Sequence, residues 1–183
     1  MAENKRFSEN TSLAKKIAAG VMVLAVLLCG TTKLNNKRND AIDVFKVGTS
    51  TEYTASVYDD LQRAARAAGI LAGIAGDAEL KELSEQLGNP KLMEKKDFSK
   101  MFSLFKQLQS RAQDAYTAYQ LTSPNEMTLK DAKSQLTAIT SAYSKASGDE
   151  FWQEANEFNK ARKGFPAAFL GWLGGADKLP GSM

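Results

Sequence analysis

Apolar and polar positions follow helical spacing along most of this chain, except in one stretch where the polar positions vanish. Ile17 to Gly30 reads IAAGVMVLAVLLCG, with no charge and no proline; Lys15 and Lys16 precede it and Lys33 follows. Beyond it the pattern is amphipathic. Phe98, Met101, Phe105, Leu108, Ala112, Ala115 and Tyr119 recur at spacings of three and four, and Leu129, Ala132, Leu136, Ile139, Tyr143 and Ala146 repeat the pattern. Such stripes seat long helices side by side at a shallow angle. Between them, Ser123 fits a helix cap with Pro124 at the first position and Glu126 completing a capping box, while Thr128 with Asp131 offers a second start. Earlier, Leu34, Ala41 and Phe45 form a sparser stripe that ends at Val47–Thr51, and Tyr53, Val57, Leu61, Ala64, Ala68, Leu71 and Ala75 form the next. Gly69 and Gly73 lie four apart, which predicts close approach by a neighbouring backbone. Asp77 to Leu87 reads as a short connecting helix, closed by Gly88-Asn89-Pro90. No segment shows the strict alternation of a half-buried strand. The expected fold is all-α: an N-terminal transmembrane helix continuing into an antiparallel up-down bundle of about four long helices plus the short connecting one.

The apolar stretch admits several readings. A spanning helix needs roughly 20 mostly apolar residues, and Ile17 to Leu34 supplies 18 if Lys33 extends its amine outward. A cleaved signal wants small residues at both recognition positions, which neither Cys29/Thr31 nor Leu28/Gly30 supplies. A lipoprotein signal wants a small residue before the cysteine, where Leu28 stands. A core helix is the remaining alternative, disfavoured by the charge-rich remainder. The membrane anchor fits best. Lys5, Arg6, Lys15 and Lys16 on one side barely outweigh Lys33, Lys37 and Arg38 on the other, and a short tail is easily retained inside. The expected organisation is therefore a cytoplasmic tail at 1–16, an anchor at 17–34, an extracytoplasmic bundle at 35–175 and a flexible tail at 176–183.

Composition narrows the chemistry. Four of the 24 basic and two of the 21 acidic residues precede Lys33, so the rest of the chain is almost neutral despite a sequence pI near 8.9. Lys91, Lys95, Lys96 and Lys100 are interrupted by Glu94 and Asp97 and read as a solvated helix face, not as a nucleic-acid interface. The chain has no histidine, which removes His-based general bases, Ser-His-Asp and Cys-His arrangements and imidazole metal ligands. The single cysteine, Cys29, lies in the apolar stretch, so an intramolecular disulfide is impossible. There is no phosphate-binding loop and no EF-hand loop. Asp59-Asp60 and Asp149-Glu150 are the adjacent acidic pairs, but neighbours on a helix point about 100° apart and make poor paired catalysts. No catalytic residue, cofactor or metal is expected.

Near the C-terminus, Phe151-Trp152, Phe158-Asn159 and Phe165-Pro166 are spaced by seven, followed by the uncharged Ala167–Leu173 with Phe169 and Trp172. Seven residues are nearly two helical turns, which predicts one shared face for Phe151, Phe158 and Phe165. The tail EANEFNKARKGFPAAFLGWLGG resembles the C-terminal signature of the LemA family, a repeated aromatic-Asn pair seven residues apart followed by Phe-Pro and an apolar segment. Phe158-Asn159 and Phe165-Pro166 match, and Phe151-Trp152 keeps the aromatic of the first pair. The resemblance implies a bacterial, single-pass membrane protein with a helical bundle outside the cytoplasm, and it supplies no catalytic residues. The eight residues Phe151, Trp152, Phe158, Asn159, Phe165, Pro166, Phe169 and Trp172 are the candidate interaction motif; the plainer reading makes them core of the last helix. The expected role is a non-enzymatic envelope interaction or scaffold module, with the lipid bilayer and an envelope protein as partners. The alternative is a small-ligand or lipid-binding bundle, with anchoring as a lipoprotein through Cys29 as a variant of it.

Overall fold

In the computed structural model, residues 11–48 and 55–182 are described. Tyr53, the first ten residues of the expected cytoplasmic tail and Met183 fall outside that range. The chain forms helices α1 (Thr11–Val47), α2 (Val57–Ala75), α3 (Ala78–Leu87), the single turn α4 (Lys91–Glu94), α5 (Phe98–Leu121), α6 (Glu126–Ser147), α7 (Phe151–Ala161) and α8 (Ala167–Leu173). No strand occurs among the described residues, and the all-α expectation holds.

The helix ends are set by local side chains. Gly48 ends α1 with a left-handed φ of 79°, a conformation glycine adopts without Cβ strain. Ser56 caps α2 in a reciprocal box: its hydroxyl accepts from the Asp59 N–H at 3.1 Å, and the Asp59 carboxylate accepts from the Ser56 N–H at 3.4 Å. Asp77 and Asp97 cap α3 and α5. At the α5–α6 turn the cap is Asn125, which accepts from the Thr128 N–H at 2.9 Å, rather than Ser123 or Thr128. Asn is as good a cap as Ser, and the shift leaves Pro124 in the turn, where it needs no N–H partner.

Two storeys result. The upper one is a bundle of α2, α3, α5 and α6. Its centre is α2, whose Ala64, Ala65, Ala67, Ala68, Leu71 and Ala72 are all buried. Small side chains let α3, α5 and α6 all close on the same helix. Gly69 faces α3, where an added Cβ would lie 3.0 Å from the Ser84 hydroxyl, and that hydroxyl donates to the Ala65 carbonyl at 2.9 Å. Gly73 has open space around it and takes no part in this contact. The α5 stripe is buried as expected from Phe98 to Ala115, with Tyr119 half-buried. On α6, Ala132, Ile139, Ala142 and Ala146 are buried, while Leu129, Leu136 and Tyr143 are half-covered. That face turns toward α2 as well as α5, so the two stripes do not simply mate with each other.

The lower storey is a stalk made of the upper half of α1, with α7 beside it. The storeys join at Phe45, which is fully buried; its ring lies 4.9 Å from that of Phe98, 5.2 Å from Phe151, 5.8 Å from Phe102 and 6.3 Å from Tyr58. Tyr58 and Phe98 open α2 and α5, so both helices start at this junction and run away from α1. In an up-down bundle α2 would return along α1; instead it continues outward. The return is made by α6 and then α7. The Trp152 indole donates to the Ala146 carbonyl at 2.7 Å across the break between them. Asp77 to Leu87 is likewise more than a connection, because α3 buries Leu80 and Leu87 against α2 and α5.

Candidate functional site

The eight motif residues divide into two groups. Phe151, Trp152 and Phe158 are buried on α7 and belong to the junction and stalk core. Phe165 does not share their face. The helix ends at Ala161, four residues before it, and Phe165 is 91% exposed. Pro166 follows through a cis peptide bond and opens α8 instead of closing α7.

Asn159 holds the chain's last segment in place. Its amide donates to the Leu179 carbonyl at 2.7 Å, and its side-chain oxygen accepts from the Leu179 N–H at 3.1 Å. One carboxamide thus satisfies both polar groups of one residue. Asn156, one turn back, donates to the Gly181 carbonyl at 3.2 Å; on α1, Asn35 donates to the Gly174 carbonyl and Arg38 to that of Asp177, each at 3.2 Å. Ala176 and Leu179 are buried between these contacts. The expectation of a flexible tail from 176 is therefore corrected: residues 174–181 climb the seam of α1 and α7 as a strap. Asn35 with Arg38 and Asn156 with Asn159 are spaced by three, which puts each pair on one helix face. That spacing was visible in the sequence, but the extended segment they grip was not, because Gly174–Met183 has no periodicity.

Below the strap, α7 and α8 make a hairpin whose second arm lies on the lower half of α1. Leu170 is buried against Gly30, so closely that a Cβ there would meet its Cδ1 at 2.5 Å, and Gly174 sits beside Thr31 and Asn35. Arg162 crosses over Gly171, where a Cβ would come within 2.8 Å of Nε. An apolar groove of about 490 Å³ opens between α1 and the second arm. Met22, Val23, Val26 and Leu27 of α1 form one wall, and Phe165, Pro166, Phe169 and Leu170 form the other. Phe169 and Trp172 pack together at 6.0 Å, while Trp172 and Leu173 are mostly uncovered.

The carboxylates serve structure. Asp59 and Asp149 are spent on helix starts, Asp149 accepting from the Phe151 N–H at 2.9 Å. Burial raises the Asp149 pKa against that bond. Burial also raises that of Asp60, which is almost wholly covered, with Arg63 3.7 Å away and Lys145 nearby as the opposing charges. Asp77 is the opposite case: burial would raise it, but the Leu80 N–H and the Arg111 guanidinium, 2.8 Å from Oδ2, together hold it below the usual carboxylate range. Neither acidic pair presents two free carboxylates to a common point.

No family model, no curated protein and no solved structure matches this chain.

Proposed function

We propose that this chain is a single-pass, membrane-anchored helical module that holds its bundle off the membrane surface to engage another envelope protein, without catalysis of its own. One observation carries the reading. α1 is one continuous helix whose lower half is long and apolar enough to cross a membrane and, apart from the face under α8, is bare of protein, while its upper half is built into the stalk. Val21, Met22, Val23 and Leu24 are each more than half exposed, a face that water penalises and hydrocarbon accepts. Because helix and stalk are continuous, the bundle has a fixed standing relative to the bilayer, as a scaffold requires. The resemblance of Phe158-Asn159 and Phe165-Pro166 to the LemA signature supports the same reading. It adds a bacterial envelope setting, with the N-terminus in the cytoplasm and the bundle outside.

Photo-crosslinking in intact cells tests this. Labels at Leu121 and Met127, exposed on the α5–α6 turn at the far end of the bundle, should capture a discrete envelope protein. Crosslinks to lipid alone, or to nothing, contradict an interaction role. Mass spectrometry of the membrane fraction should find the intact N-terminal tail; a mature chain beginning at lipid-modified Cys29 would replace the anchor with a lipoprotein.

A further inference from the structure

The hairpin arm α8 sits at a height where water is not expected. Along α1, Ile17 to Leu34 measures about 27 Å at 1.5 Å per residue, close to a bilayer's hydrocarbon thickness. Leu170 meets α1 at Gly30, and the Phe165–Pro166 turn reaches Met22 to Leu27. If α1 spans, α8 lies wholly within the domain-side half of that hydrocarbon. From Gly164 to Ala176 no residue is charged, and the cations Arg162 and Lys163 stand immediately before that run. Phe165, Phe169, Trp172 and Leu173 are all 46% exposed or more, the first two in the groove wall and the last two outside it. They lie below the bundle, whose core ends at the Phe45 junction, and outside the stalk core of Phe158, Ala176 and Leu179. One turn higher, the chain becomes basic: Lys33, Lys37 and Lys178 are exposed around the strap, at the level of phosphate headgroups and within reach for amines to snorkel. The hairpin's N–H groups at Arg162, Lys163, Ala168, Leu170, Gly174 and Ala176 are bonded to carbonyls of the α7–α8 segment itself, and Pro166 has none. This lowers the cost of placing an irregular turn among acyl chains.

From this placement we infer that α8 is a second, re-entrant membrane contact, and that the groove between α1 and α8 seats an acyl chain of a phospholipid in the domain-side leaflet. The inference rests on the anchor reading of α1. An acyl chain suits the groove because its walls are aliphatic and aromatic, and because it opens onto the same face of α1 that lipid already covers.

The test uses the full-length chain in phosphatidylcholine vesicles whose acyl chains carry bromine at defined carbons. The chain has two tryptophans, so Trp152→Phe leaves Trp172 as the sole emitter. Its emission should be lost most strongly to bromines in the upper half of the acyl chain and be insensitive to aqueous acrylamide. A second variant, Leu24→Trp with both native tryptophans replaced by Phe, reports on α1 alone. Quenching at position 24 with none at Trp172 overturns the re-entrant contact and leaves the anchor standing. Quenching at neither removes both. Should Trp172 be shielded from bromine and acrylamide alike, protein and not lipid covers α8 and the lipid assignment is wrong. If Trp152→Phe fails to fold, a nitroxide on Phe169→Cys in a Cys29→Ser background gives the same depth by oxygen against nickel collision, with the same two outcomes.

Discussion

The two storeys of this protein use the same kinds of residue to opposite ends. At the junction Phe45, Phe98, Phe102, Phe151 and Trp152 form one aromatic cluster with scarcely any exposed surface. Some 20 residues below Phe45 along α1, Phe165, Phe169 and Trp172 form another that is largely bare. Composition does not separate them; what surrounds each does. The upper cluster sits where five helices start or end, so every ring has neighbours on all sides. The lower one has a single helix behind it, and seven residues of α8 offer no second layer. An exposed aromatic patch on a polar scaffold marks a surface that meets something other than water, whereas the buried cluster marks the place where the fold is held.

The sharpest way to break this contrast is to charge the upper core. Leu108 is fully buried on α5. Leu108→Asp should cost roughly 5 kcal/mol through lost packing and an unpaired buried charge and abolish the cooperative thermal transition of the detergent-solubilised chain. Leu136→Asp, on a half-buried position, should cost much less. Truncating the junction is next. Phe45→Ala should destabilise by about 3–5 kcal/mol. Phe165→Ala, at the bare cluster, should fall within about 0.5 kcal/mol of wild type in the same detergent melt. Equal losses at the two sites would erase the distinction.

Smaller effects sharpen the boundary. Asn159→Ala removes two bonds to Leu179 and should cost about 1–2 kcal/mol. It should also speed amide hydrogen exchange at Leu179 while leaving the bundle's exchange unchanged. The smallest effect concerns Asp60. Its folded pKa is raised, so the folded state binds the proton more tightly than the unfolded one. Its contribution is therefore full below the unfolded value near 3.8 and is lost as pH rises through the folded value. Asp60→Asn should melt slightly higher than wild type at pH 7, with the gap closing as pH falls toward 4. A gap that widens on acidification would reverse the assigned sign.

Much of the upper storey was legible in the sequence because its signals are periodic. The α5 stripe, the α1 stripe through Phe45 and the Gly88-Asn89-Pro90 break all appear where the pattern placed them. The direction of α2 was not legible: a stripe says which face is buried, and Val57, Leu61 and Ala64 would look the same against α1 or against α6. The capping residue at the α5–α6 turn was ambiguous because Ser123, Asn125 and Thr128 all satisfy cap chemistry. In the lower storey, seven-residue spacing implied a continuous helix through Phe165, but Arg162-Lys163-Gly164 interrupts it, with Gly164 at a left-handed φ of 81°. The strap was hidden for a different reason. Its affinity for the seam lies in backbone groups gripped by Asn35, Arg38, Asn156 and Asn159, and backbone groups leave no mark on a sequence.

The central claim is that α1 is one helix in two media, lipid below Leu34 and protein above it. A nitroxide scan along positions 19–45 in a Cys29→Ser background, in lipid vesicles, reads this directly from the ratio of oxygen to nickel collisions. The account predicts oxygen-rich, nickel-poor values from 19 to about 32, dipping only at Leu27, Gly30 and Thr31, where the helix is partly covered. Above Leu34 a period near 3.6 should appear, with minima for both reagents at Ala41, Ile42 and Phe45. Nickel access at positions 21–24 equal to that at Asn39 and Asp43 would show water along the whole helix and would contradict the account.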